Sequence, residues 1–281
     1  LRANPRKLEQ LSQLLLDPST PLQVFANLAL VSGSLDSSVA TQILLDALAR
    51  FQNHSDRAEW LLYALGTWKQ KPGWDQRFAF DPDGPMVLQS REGLSTPLFH
   101  RFTKPSIYPR ILPFLDESSP DLRAAAILTL RHSLANARIR EAFAHTLQWE
   151  TDPGNQANLA EALAREAVKL PSKTVRETIS LLIEKATQPD ALAIRLKVQS
   201  PLQGLPLFES QKKLLEDLAT NPSMANSSTR RFALALLANR NTLADSANLI
   251  LWETATNDPD PNIRGAAIEH LRNHPVPPPT S

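Results

Sequence analysis

The chain contains no cysteine. Disulfide cross-links, thiolate nucleophiles and cysteine zinc sites are therefore excluded together. The lack of thiols fits an oxidising compartment, so a periplasmic or exported location is favoured over a cytoplasmic one. Glycine is scarce, at 8 of 281 residues. No glycine-rich phosphate loop and no G-x-S-x-G nucleophile elbow occur. No hydrophobic run approaches the roughly 20 residues of a membrane-spanning helix. Neither sign of charge is in excess, with 30 basic against 29 acidic residues and a formal net charge of +1. Phosphate backbones and anionic membranes select for a basic surplus, so general nucleic-acid or membrane-surface binding is not expected, although a local basic stripe is still open. The chain begins at Leu1 without methionine, which suggests a processed product or a piece of a longer protein.

What is present is a repeated phrase. Residues 119–127 read Ser-Pro-Asp-Leu-Arg-Ala-Ala-Ala-Ile, and residues 260–268 read Asp-Pro-Asn-Ile-Arg-Gly-Ala-Ala-Ile. Each runs on to a Leu-Arg pair, Leu130-Arg131 and Leu271-Arg272. An internal repeat of this length points to stacked helical hairpins rather than to one closed core. The 42% hydrophobic content suffices to bury the seams. The 23 prolines suit helix starts and turns.

Apolar spacing predicts fourteen helices. The first runs from about Pro5 to Leu16, with Leu8, Leu11, Leu14 and Leu15 on one face. The second opens on Pro21, buries Leu22, Phe25, Leu28 and Ala29, and ends at about Leu30 before a break at Ser32-Gly33-Ser34. A third carries Val39, Ile43, Leu44, Ala47 and Leu48, and a fourth, capped by Ser55, carries Ala58, Leu61, Leu62 and Leu65. Further helices are expected over about 107–115, 120–134, 137–149, 155–168, 173–187, 190–199, 209–219, 228–239, 243–256 and 260–273. The proline-rich tail 274–281 should be extended. Turns into every second helix recur at Pro18, Ser55, Ser119, Pro153, Pro189, Ser227 and Pro259. One step is long, as if an insert over about 69–104 had entered the array. Within it, residues 77–80 and 86–89 flank Asp81-Pro82-Asp83-Gly84 as a short β-hairpin would.

The phrases at Ser119–Leu130 and Asp258–Leu271 resemble the HEAT-repeat family. Asp56–Gly66, Asp152–Leu163 and Thr229–Ala233 match it in part. The resemblance implies an all-α fold, a right-handed α–α superhelix of about seven hairpins. It would span residues 1–273 as a single solenoid, interrupted by the 69–104 insertion. It also implies that Arg123 and Arg264 are structural and reach a carboxylate in an adjacent repeat. Phe25–Gly33 followed by Leu61–Gly66 is similar, more narrowly, to the helical domain of vitellogenin-type large lipid transfer proteins.

Candidate chemistry is thin. His270 and His274 share a helix face at i and i+4, but the zincin glutamate is replaced by Leu271 and a third ligand is missing. Asp81–Gly84 is a turn rather than a calcium loop. Glu59, Glu141 and Glu161 read as a solvated face. The tryptophans Trp60, Trp68, Trp74, Trp149 and Trp252 suit core packing or hairpin ends, or else a DNA groove of the kind used by HEAT-like glycosylases. No catalytic residue, metal ligand or cofactor is expected. The insert gathers Trp74, Arg77, Phe78, Phe80, Arg91, Phe99 and Arg101. Aromatic and arginine side chains dominate binding hot spots, so these residues are candidate partner contacts, or alternatively rings that pin the loop onto the array. The expected function is a non-catalytic scaffold that binds a protein partner on its concave face or through the insert. A lipid-transfer-related helical domain and a DNA-binding or DNA-repair protein are the alternatives.

Overall fold

The computed structural model describes residues 5–34, 38–66, 107–170, 172–238 and 245–273. The expected insertion at 69–104 and the tail at 274–281 lie outside them. The described residues are all-helical. In chain order the helices are α1 (Pro5–Leu16), α2 (Leu22–Ser34), α3 (Ser38–Phe51), α4 (Ser55–Gly66), α5 (Tyr108–Ile111), α6 (Pro120–Leu130), α7 (Ala137–Trp149), α8 (Pro153–Ala167), α9 (Ser172–Ala186), α10 (Leu192–Gln203), α11 (Glu209–Thr220), α12 (Ser227–Leu237), α13 (Asp245–Asn257) and α14 (Pro261–Asn273). A 3₁₀ turn, Leu112–Asp116, follows α5. The expected helix over 107–115 therefore splits, because Pro113 has no N–H to continue an α-helical ladder. Conversely α2 runs through the expected break at Ser32-Gly33-Ser34, where the Ser32 hydroxyl donates back to Leu28 O at 2.6 Å and Gly33 lets α4 approach, and α10 runs past its expected end at 199 and takes Pro201 into its last turn.

Two compact units emerge, Leu1–Thr146 and Leu147–Ser281. In the first, α2 packs on α4 and α4 on α6, while α1 packs on α3. In the second, α8 packs on α10, α10 on α12 and α12 on α14, with α11 against α13. Helices two apart in sequence thus stand beside one another. That pattern is what stacked hairpins produce.

The helix starts follow local rules. Pro120, Pro153 and Pro261 each occupy the first helical position, where the missing N–H is unpaired in any case. Residues just before the helices supply caps at α6, α8 and α12. Ser119 Oγ accepts from Leu122 N–H at 3.4 Å, Asp152 Oδ1 from Asn155 N–H at 2.8 Å and Asn226 Oδ1 from Thr229 N–H at 2.9 Å.

A second device recurs at the fourth helical position, where a long donor reaches back to the carbonyl six residues earlier. Arg123 Nη1 donates to Glu117 O at 2.8 Å, Arg140 Nη1 to Leu134 O at 2.9 Å and Arg264 Nη1 to Asp258 O at 2.6 Å. Gln156 Nε2 does the same to Glu150 O at 2.6 Å, and Arg195 Nη2 to Pro189 O at 3.3 Å. These turns present carbonyls that no helix ladder can satisfy, and each donor answers one of them.

The cores are aliphatic with a few rings. Phe25 and Phe51 stack edge to face at 5.5 Å, and the Arg57 guanidinium lies over both, 4.7 and 4.9 Å from their centroids. Leu44, Leu61 and Leu62 are buried in the same unit. In the second unit Leu163, Ile194, Val198, Phe232, Leu236 and Ile263 are buried along the α8–α14 row.

Candidate functional site

The partner-contact candidates Trp74, Arg77, Phe78, Phe80, Arg91, Phe99 and Arg101 all lie outside the described residues. So do Trp68 and His274. Arg123 and Arg264 are described, and each bonds the turn before its own helix. Arg123 Nη1 bridges Glu117 O and Ser118 O at 2.8 and 2.9 Å, and Arg264 Nη1 bridges Asp258 O and Pro259 O at 2.6 and 3.3 Å. Both Arg264 bonds go to main-chain oxygens of its own preceding turn, as the Arg123 bonds do.

A buried carboxylate pairing across a seam does exist, at Arg230. Its guanidinium bonds Asp258, which precedes α14, and its Nε and Nη2 both donate to Ala219 O at 3.1 and 2.8 Å. Both ionic partners are buried. Asp258 Oδ1 also accepts from Asp260 N–H at 2.9 Å. At the preceding seam, between α10 and α12, Arg195 acts similarly. Its Nη1 donates to Ala186 O and Gln188 O, both at 2.9 Å, and to Thr229 Oγ1 at 3.2 Å. Burial lowers the Arg195 pKa, partly offset by Asp190. These groups are engaged by the fold, which leaves them little to offer a substrate.

In the first unit α4 and the start of α6 carry Asp56, Glu59, Trp60, Tyr63 and Asp121. Glu59 departs from the expected solvated face. Partial burial raises its pKa, and Asp121 and Asp56 push it further, against a hydrogen bond from Tyr63. The packing of α6 beside α4 creates this crowding. Burial, then the Glu59 and Asp121 charges, pushes the Tyr63 phenol up to about 12. Trp60 and Tyr63 meet edge to face at 6.1 Å. Glu141 is exposed, and Glu161 pairs with Arg165 at 2.6 Å and Lys197 at 3.1 Å.

Among the described residues no group of three or more His, Asp or Glu side chains could hold a metal ion. No described helix is long and apolar enough to cross a membrane. Sequence reading missed the exposed row on the second unit, where Leu196 is 73% exposed and Leu192 is 53% exposed. The available signal was two leucines four residues apart outside the inward stripe of α10.

No protein-family model matches the chain. No curated protein matches it either. Among solved structures, one described as the crystal structure of an engineered protein is similar over 95% of this chain and 96% of that one, at 15% identity and a TM-score of 0.40. Likeness at that level adds nothing to the packing already described.

Proposed function

We propose that the chain is a HEAT-like, right-handed α-solenoid that acts as a non-catalytic scaffold, binding a protein partner on a concave face to which the even-numbered helices of each unit contribute. One observation carries the reading: within each unit these helices pack directly on one another, α2–α4–α6 and α8–α10–α12–α14. Such a row offers a continuous side-chain surface whose seam cations are already bonded. The fourth-position donors of α6, α8, α10 and α14 support the repeat assignment, since the turn before each of these four even-numbered helices is closed the same way. Under this reading Arg123 and Arg264 are structural, and the insert residues Trp74, Arg77, Phe78, Phe80, Arg91, Phe99 and Arg101 supply a second contact region.

Cross-linking in an extract of the source cells, followed by mass spectrometry, tests the proposal. A saturable protein partner whose cross-links map to the even-numbered helices is expected. Turnover of a small substrate without any such partner would overturn it. Co-purifying lipid in an organic extract, or salt-sensitive retention on DNA, would instead support one of the two alternative roles.

A further inference from the structure

The N-terminal turns of α10, α12 and α14 stand level with one another. Arg195, fourth in α10, bonds Thr229, third in α12, at 3.2 Å. Ser227, first in α12, donates to Asp260, the residue just before α14. Arg230, fourth in α12, bonds Asp258. With Arg195 and Arg230 engaged at the seams, the fifth positions of these three level turns are the ones left exposed. They are Leu196, Arg231 and Gly265.

Each of the three is exposed. Leu196 is the most exposed large apolar side chain described, with Leu192 one turn before it. Arg231 has no hydrogen-bond or ion-pair partner among the described residues, unlike the cations Arg165 and Lys197, which share Glu161. Gly265 sits inside a helix where glycine is less favourable than alanine. A β-carbon there would meet nothing within 4 Å, so internal packing does not require the glycine. Ile268, 38% exposed, lies one turn further along α14.

We infer that Leu192, Leu196, Arg231, Gly265 and Ile268 form a track for an extended acidic–apolar peptide segment of a partner protein. In it a central carboxylate would pair with Arg231, one apolar residue would lie on Leu192 and Leu196, and another on Ile268 where the partner backbone approaches Gly265. Charge complementarity selects this occupant, because Arg231, without an ion-pair partner among the described residues, lies on the helix between the two that carry the apolar side chains. Adjacent helices pack about 8–10 Å apart, so the track spans about 16–20 Å, the reach of about six extended residues. The inference rests on the scaffold reading and specifies its ligand.

The test uses the full chain and a fluorescein-labelled eight-residue peptide with leucine at both ends, aspartate near the centre and serine elsewhere. Fluorescence anisotropy should show saturable binding, at least tenfold weaker when the aspartate is replaced by lysine. Arg231→Glu should reverse that order. Gly265→Val should weaken binding at least fivefold, and Leu196→Asp should do likewise. All three positions are exposed, so circular dichroism should be unchanged by Arg231→Glu and Leu196→Asp. Gly265→Ala, which should not lower Tm, separates lost contact from lost folding at the third. Equal binding of the two peptides, an order unaffected by Arg231→Glu, or no binding up to millimolar peptide would overturn the track. A self-dimer or vesicle retention that disappears with Leu196→Asp would overturn it in favour of another occupant. If a cross-linked protein partner persists through Arg231→Glu, the track fails while the scaffold reading stands.

Discussion

The two units close their seams by different chemistry. In the first, backbone approaches backbone. A β-carbon at Gly33 of α2 would sit 2.1 Å from the Ala64 carbonyl oxygen of α4, and one at Gly66 of α4 would sit 3.0 Å from Thr129 Oγ1 of α6. Thr129 Oγ1 in turn donates to Leu62 O at 2.8 Å. In the second unit the seams hold buried cations: Arg195 on Thr229 and the turn carbonyls, Arg230 on Asp258 and Ala219 O. The first unit also has a bridging cation, Arg57, whose Nη2 donates to Pro18 O and Thr20 O at 3.0 and 2.6 Å, so the contrast among the described residues is narrower: close approach at glycine in the first unit, a buried ion pair in the second. Small residues fix the helix separation through steric limits, which salt and pH do not alter. Buried charge fixes register, at the cost of making each partner indispensable to the other.

The largest effect should come from splitting the ionic seam. Arg230→Met leaves Asp258 buried without its counter-charge and Ala219 O without its donors, and should cost about 3–5 kcal/mol in denaturant unfolding. Hydrogen exchange should accelerate in α12 and α14 first and leave α2 and α4 protected, since neighbouring repeats carry their own interface terms. Adding Asp258→Asn should recover part of the loss. Full additivity of the two substitutions would mean that the charges do not support one another.

The steric seam breaks next. Gly33→Ala must force α2 and α4 apart, because the obstacle is a main-chain carbonyl that cannot rotate away, and should cost about 1–3 kcal/mol. Exchange should then rise in α2 and α4 while α12 and α14 stay protected. A uniform response to both Gly33→Ala and Arg230→Met would erase the distinction between the units.

Gly265→Ala probes a glycine with no neighbour, and should raise stability by up to about 1 kcal/mol. A loss would show that α14 needs the glycine for its own packing.

The smallest effect concerns pH. Glu59 has a folded-state pKa raised above its ordinary value, so its charged form is the destabilising one. That cost is present at neutral pH and is relieved as the pH falls through the raised folded pKa to the ordinary glutamate value of about 4.3. Glu59→Gln should therefore stabilise the protein by about 0.5 kcal/mol at pH 7, and the gain should vanish in acid. A gain that persists unchanged below that range would place its origin elsewhere than in the charge.

Much of this is legible in the chain itself. Proline at the first helical position with Ser or Asp before it marks the starts of α6, α8 and α14, because capping is satisfied within a few residues. The repeated arginine points to the fourth position, yet the copy at Asp152–Leu163 has no arginine near its start. Gln156 takes its place, since the turn requires reach and an N–H rather than a charge. Helical spacing alone puts Glu59 on a solvated face, because its acidic neighbour Asp121 belongs to another helix, 62 positions on. The row of Leu196, Arg231 and Gly265 is hidden for the same reason. Its members are ordinary on their own helices and become a surface only when three turns stand level.

By itself, then, the sequence determined the helical class, the cadence of the hairpins and the closure of their turns, all of which depend on interactions spanning a handful of residues. The tertiary structure alone decided that Asp258 should answer Arg230, that Gly33 should admit Ala64, and which side chains remain outside. Those outcomes depend on how neighbouring hairpins slide against one another. That slide is set by the packing of whole helix faces and by the low tolerance of buried charge and buried carbonyls for being left unpaired.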